Sequence, residues 1–262
     1  MNTAAGSNER RLEVFCGDGA DIQEAEALAA HLGVPLITDI PDTEQAGLLL
    51  RMGADGLALT GGGLSLRADL TRMLPRLRPA NLKQELLVKA CKIKSCSVNK
   101  TVIDATAGLG EDSLLLAAAG FSVRLFESDP VIAALLRDAL RRAGRLPELS
   151  DIVGRMCFAE ADSLKMLPEL PEAPAVVFLD PMFPERQKSA LVKKKFQLLQ
   201  QLERPCDDGE ALLQAALAAR PGRIVIKRPL KGPFLGGIRP GYSLAGKAIR
   251  YDCIVLPENM GS

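Results

Sequence analysis

The stretch Val176-Val177-Phe178-Leu179 is apolar at four consecutive positions and stops abruptly at Asp180-Pro181. A strand with one wet face alternates apolar and polar residues. An unbroken apolar strand is buried on both faces, as happens at the centre of a parallel sheet flanked by helices. The run therefore demands neighbouring strands on either side and helices above and below. Asp180 then falls at the strand's carboxyl end, where open α/β sheets place their ligands. Pro181 and Pro184 stiffen the turn and hold Asp180 and Phe183 in a fixed relation. A carboxylate acceptor beside a flat hydrophobic ring suits the gripping of a planar group that carries an NH2.

The rest of the chain supplies those neighbours. Strands are expected over residues 101–105, 122–127, 155–160, 175–180 and 223–228, and helices over 110–119, 130–143, 189–202 and 208–219. Pro130 after Asp129 suits a first helical position, and Gly120 and Gly144 suit helix ends. This rhythm predicts a doubly wound, mostly parallel α/β sheet. A last strand, 248–256, follows no long helix and reads as an antiparallel addition at the far side. Residues 1–75 read as a small N-terminal α/β unit. It has strands at 12–16 and 34–38, a helix at 21–32, a hairpin of 46–52 with 56–60, and a further strand within 64–69. Residues 76–99 read as a basic connector and helix, with Asn81 as a cap for a helix running to about residue 94. The main domain is expected over 100–262.

Composition removes several classes of function. No apolar run approaches the ~20 residues of a membrane helix, and the first residues are polar, so a cytoplasmic protein with no membrane partner is expected. Six cysteines are scattered without a C-x-x-C pair, which favours buried or incidental thiols over a disulfide or zinc framework. His31 is the only histidine. A Ser-His-Asp triad and a multi-histidine metal site are therefore disfavoured, and no metal is expected. The net charge of +1 conceals an asymmetry. Residues 1–66 hold three basic and ten acidic residues, a balance of −7, whereas residues 67–100 hold nine basic and two acidic, +7. Residues 223–250 hold seven basic residues and no acid. Lys188, Lys193, Lys194 and Lys195 follow the Asp180 turn. Solvated helix faces would explain any one cluster, but three together favour a polyanion partner.

A second turn sits upstream, in Thr101-Val-Ile-Asp104-Ala-Thr-Ala-Gly108-Leu-Gly110-Glu111-Asp112. Gly108 and Gly110 allow a tight turn against a ligand at a helix N-terminus. A dinucleotide fingerprint would place a third glycine at position 113, where Ser113 stands. Glu127 ends the next strand, 19 residues beyond Gly108, at a position suited to accept from ribose hydroxyls. Asp162-Ser163 follows the third strand, suited to read an adenine amino group or to cap a short helix. The series Asp104, Gly108, Gly110, Glu127, Asp162, Asp180 on successive strand ends is more specific than any member alone.

These strings resemble the RsmJ (YhiQ) family of bacterial 16S ribosomal RNA (guanine-N2)-methyltransferases. The resemblance rests on residues 102–110, on Glu127 with 130–136, on Leu179-Asp-Pro-Met-Phe-Pro184 and on residues 187–194. It continues more weakly through Val225-Ile-Lys227-Arg228-Pro229 and Tyr251-Asp252. It implies a Rossmann-like, class I methyltransferase fold and S-adenosylmethionine as cofactor. The partner it implies is 16S ribosomal RNA or the small ribosomal subunit. It also implies a cofactor held at Glu111, Asp112, Glu127, Ser128, Asp162, Ser163 and Asp180, beside Asp104, Gly108 and Gly110. Relatives carry Arg at position 111 and a charged residue at position 128, so only backbone contacts are expected to carry over there. Asp180, Pro181 and Phe183 are the expected catalytic residues, with Phe183 stacked on the base. Lys188, Lys193, Lys194, Lys195, Lys227 and Arg228 are the expected RNA contacts. Methylation of an amino group in another nucleic acid or a protein glutamine is an alternative, as is an RNA-binding relative without activity.

Overall fold

The computed structural model describes residues 12–39, 47–93, 101–181, 209–257 and Leu198. The chain divides into two compact units. Described residues up to Ala68, with Leu198, form the first, and those from Asp69 onward form the second. The basic segment after Asp69 thus belongs to the larger unit. The expected boundary near residue 75 moves back because Leu70 and Met73 are buried there.

The first unit is a five-stranded sheet in the order β2-β1-β3-β4-β5. Its strands are β1 (Leu12–Cys16), β2 (Leu36–Ile37), β3 (Leu48–Gly53), β4 (Gly56–Gly61) and β5 (Leu64–Leu66). The helix Ile22–Leu32 is capped by the Asp21 carboxylate, which accepts from the Gln23 and Glu24 amides, and it ends at left-handed Gly33. Strands β3 and β4 form the expected antiparallel hairpin.

The second unit carries a seven-stranded sheet in the order β11-β12-β10-β9-β6-β7-β8. Its strands are β6 (Thr101–Asp104), β7 (Ser122–Glu127), β8 (Met156–Glu160), β9 (Val176–Leu179), β10 (Arg223–Pro229), β11 (Tyr242–Ala245) and β12 (Ile249–Val255). Strands β6 to β10 are parallel, while β12 and β11 add antiparallel at one edge. The chain leaves β6 toward β7 and β8, then returns on the other side of β6 as β9. That reversal is the topological switch point, where such sheets form their ligand crevice.

Strand β9 is fully buried along its length. Val176 and Phe178 enter one apolar cluster with Leu116, Val123, Leu125 and Tyr251. Val177 and Leu179 enter another with Ile103, Leu212, Leu213 and Ile226. An unbroken apolar run is what two cores require of a shared strand. The helices Glu111–Ala118 and Pro130–Ala143 follow β6 and β7, and Asp129 caps the latter by accepting from the Val131 and Ile132 amides.

The connector helix and the edge of the larger sheet differ from expectation. Asn81 lies inside a short helix, Pro79–Leu82, and the next helix, Leu86–Cys91, starts after Glu85. Strand β11 was not expected. The helix expected over 189–202 lies outside the described residues except Leu198, which is helical and buried.

The turn between β6 and its helix needs both glycines in the left-handed region, Gly108 at φ 53° and Gly110 at φ 80°. A methyl group at Gly110 would stand 2.7 Å from the Leu136 side chain, whereas one at Gly108 meets nothing within 4 Å. Leu136 is fully buried and has little room to yield. Gly108→Ala should therefore cost about 1–2 kcal/mol, the left-handed penalty alone. Gly110→Ala should add roughly 1–3 kcal/mol of overpacking. Urea unfolding of the two variants checks this, and equal losses would show that Leu136 does not constrain the turn.

Candidate active site

Parallel pairing sets the carboxyl ends of β6, β9 and β10 side by side. Asp104 pairs with Phe178, and Leu179 with Ile226, so Asp180 and Lys227 come next on adjacent strands. The Asp180 amide donates to Thr106 Oγ1 at 2.7 Å, and the Thr106 amide donates to Asp104 Oδ1 at 3.1 Å. Ser113, on the helix after the glycine turn, donates from Oγ to Asp104 Oδ2 at 2.5 Å. Asp104 is only 1% exposed. Burial pushes its carboxyl up to about 7, opposed by the Ser113 hydroxyl and reinforced by the charge of Asp112.

Lys227 closes the arrangement. Its Nζ donates to Asp112 Oδ2 at 2.6 Å and to Asp180 Oδ2 at 2.8 Å. Burial works against its charge, but Asp112 and Asp180 together outweigh that effect and hold it firmly protonated, above its ordinary range. Burial raises the Asp180 carboxyl, Lys227 draws it back down, and the like charge of Asp112 raises it further. The buried Tyr251 phenol is raised by desolvation and then by Asp112, so it stays neutral beside these acids.

On the other side of the glycine turn, Glu127 binds backbone with both oxygens. Oε2 accepts from the Gly108 amide and Oε1 from the Asp129 amide, each at 2.9 Å. Burial raises its carboxyl, and the amide bonds from Asp129 and Gly108 oppose that rise. Asp162 caps the helix Ser163–Met166 by accepting from the Leu164 amide at 2.9 Å. Buried Ser163 donates to the Ala105 carbonyl at 2.7 Å, tying that helix to the end of β6. Glu111 and Ser128 are both exposed.

The structure thus gathers Asp104, Asp112 and Asp180 into one cluster and joins Gly108 to Glu127. Pro181 is buried next to Asp180. Phe183, Lys188, Lys193, Lys194 and Lys195 lie outside the described residues. Two expected RNA contacts need correction. Arg228 is 2% exposed, and its guanidinium donates to the Pro233 carbonyl, so it braces a loop instead of facing solvent. Lys227 is committed to two carboxylates. Thr106, Ser113 and the Asp112–Lys227 pair were missed. Ser113 had left a signal, as the residue standing where a dinucleotide turn would place glycine.

This geometry agrees with the comparisons to known proteins. Residues 38–256 match the family model described as "Putative SAM-dependent methyltransferase". The chain is 40% identical over 253 residues to the ribosomal RNA small subunit methyltransferase J of Pseudomonas aeruginosa strain UCBPP-PA14, covering 94% of this chain and 95% of that one. It is also 40% identical to the protein of the same name from Alkalilimnicola ehrlichii, covering 94% and 96%. A crystal structure of a SAM-dependent methyltransferase from Neisseria gonorrhoeae superposes with a TM-score of 0.73 at 29% identity, over 95% of this chain and 97% of that one. A Rossmann-like class I fold, a polar cluster at the switch point and relatives aligned nearly end to end lead to one assignment: the chain belongs to the ribosomal RNA small subunit methyltransferase J family of S-adenosylmethionine-dependent enzymes.

Proposed function

We propose that the chain methylates the exocyclic N2 amine of a guanosine in 16S ribosomal RNA, in the cytoplasm, with S-adenosylmethionine as methyl donor. The observation that carries this reading is the position of Asp180. It ends the central buried strand, one strand away from the glycine turn, with its backbone pinned to Thr106. The acids around it outnumber the bases, with Asp104, Asp112 and Asp180 against Lys227. Such a donor set suits a cofactor that carries positive charge on both its sulfur and its amino group.

S-adenosylmethionine supplies an electrophilic methyl on a sulfonium whose sulfur departs neutral, so no general acid is needed. What remains for the protein is alignment. The guanine N2 lone pair is delocalised into the ring and attacks poorly. Acceptors at Asp180 and at the Pro181 carbonyl, bonded to its two hydrogens, favour a pyramidal nitrogen aimed at the methyl. As the N–C bond forms, the nitrogen becomes positive, and the Asp180 carboxylate takes up the proton it sheds. Most of the rate then comes from positioning and preorganised charge. Phe183, three residues beyond Asp180, is the candidate to stack on the base, which must swing out of any helix to arrive there. Glu127 is the ribose acceptor, and the glycine turn with Asp162 and Ser163 cradles the rest of the cofactor.

Mass mapping of 16S RNA from cells lacking the gene, before and after treatment with the purified protein, tests this directly. One guanosine should gain a single methyl group, and Asp180→Ala should abolish that gain while far-ultraviolet dichroism stays native. Methylation of another base, or wild-type turnover in Asp180→Ala, sinks the assignment.

Glu127→Ala should weaken cofactor binding by ~1–3 kcal/mol, the usual cost of losing a hydrogen bond to a charged group. Calorimetric titration with the cofactor measures it. Unchanged affinity would remove Glu127 from the cofactor site.

RNA affinity should fall steeply with salt and depend on Lys193, Lys194 and Lys195. Each lysine that meets a phosphate contributes roughly 0.7–0.9 to the slope of log affinity against log salt. Replacing all three by Ala should flatten the slope and leave cofactor affinity alone. An unchanged slope would mark them as a solvated face.

A further inference from the structure

Lys227 sits where a cation has no evident task in binding the target. Its Nζ lies 2.6 Å from Asp112 Oδ2 and 2.8 Å from Asp180 Oδ2, so two of its three N–H donors are already engaged by carboxylates. The two acids come from different functional halves. Asp112 occupies the first turn of the helix that follows the glycine turn, and Asp180 ends the central strand. Lys227 engages one oxygen of Asp180, which stops the carboxylate rotating and leaves Oδ1 for the target amine. The Asp180 backbone is held separately, through Thr106 to Asp104 and from Asp104 to Ser113 on the same helix as Asp112.

We propose that Lys227 is the positioning residue of the methyl transfer: it fixes the rotation of the Asp180 carboxylate and keeps it ionised, with Asp112 holding the ammonium in place from the cofactor side. This role rests on the reading of Asp180 as the acceptor of the target amine. The groups that bear on Asp180 electrostatically are Lys227 and Asp112, and those that bear on the cluster around it are Asp104, Tyr251 and Arg76. Lys227 favours the charged carboxylate and Asp112 disfavours it. Removing each should therefore move the acid limb of the rate profile in opposite directions, which a merely structural role would not do.

The test is single-turnover methylation across pH at saturating S-adenosylmethionine, with RNA affinity and its salt slope measured alongside. Lys227→Gln should lose about 10²-fold in the transfer rate, as expected for a misplaced catalytic group. Its acid limb should shift to higher pH, because Asp180 would protonate more readily. Asp112→Asn should shift that limb to lower pH, and Lys227→Arg should return it close to the wild-type position. The salt slope should not change in any of them. If Lys227→Gln fails to fold, Asp112→Asn and Lys227→Arg still decide: an acid limb that stays put or rises in Asp112→Asn overturns the proposal. A folded Lys227→Gln with wild-type rate and acid limb also overturns it, as does a salt slope that falls as for a phosphate contact. Asp180→Ala run in parallel separates the two ideas. If it is active, the acceptor reading itself fails. If it is inactive while Lys227→Gln behaves as wild type, only the positioning role fails.

Discussion

The site depends on a closed ring of polar contacts at the carboxyl ends of β6, β9 and β10. Ser113 bonds to Asp104, Asp104 to Thr106, Thr106 to Asp180, Asp180 to Lys227 and Lys227 to Asp112, one residue before Ser113 on the same helix. The contacts run from 2.5 to 3.1 Å, and Asp104 and Ser113 are buried. Burying charges costs more than it returns unless every partner is met, so a hydrophobic patch would stabilise this corner at least as well. What the ring supplies is geometry. It ties the helix that starts at the glycine turn to the carboxyl end of the central strand.

The ring exists because of strand order. With β9 between β6 and β10, Asp104, Asp180 and Lys227 stand on three adjacent strands, although 47 residues separate Asp180 from Lys227 and 115 separate Asp112 from Lys227. A sheet without the reversal at β6 would scatter them. The two apolar clusters fed alternately by β9 hold that order in place. The geometry of the cluster is therefore a consequence of the same apolar run that identifies the central strand.

This also explains what could be read from the sequence and what could not. Strand β7 and the helix Pro130–Ala143 appear at the bounds expected of them, because their signals are local: an apolar strand, then Asp129-Pro130 as cap and first turn. The run of carboxylates at strand ends was legible for the same reason. The partners of Lys227 and Arg228 were not. A sequence shows that a residue is charged but not that a carboxylate or carbonyl from a distant segment already takes the charge. Strand β11 was missed because Tyr242–Ala245 is short and mostly exposed, with little apolar pattern to declare it. The break between Leu82 and Leu86 was missed because Asn81 makes a good cap, yet its side chain bonds back to the Pro75 carbonyl instead.

The same lesson changes the weight of the charge argument. Residues 223–250 carry seven basic side chains, which by count alone suggests a face for a polyanion. Four of them have internal partners. Arg223 donates to the Ala90 and Lys92 carbonyls, Lys227 to two carboxylates and Arg228 to Pro233. Arg250 chelates Asp252 and reaches the Pro229 and Leu230 carbonyls. Lys231, Arg239 and Lys247 are the exposed remainder. Arg228 and Arg250 converge on the segment that leaves β10, so these charges brace the chain just beyond Lys227. A charge count becomes evidence for a polyanion only after the cations spent inside the fold are subtracted from it.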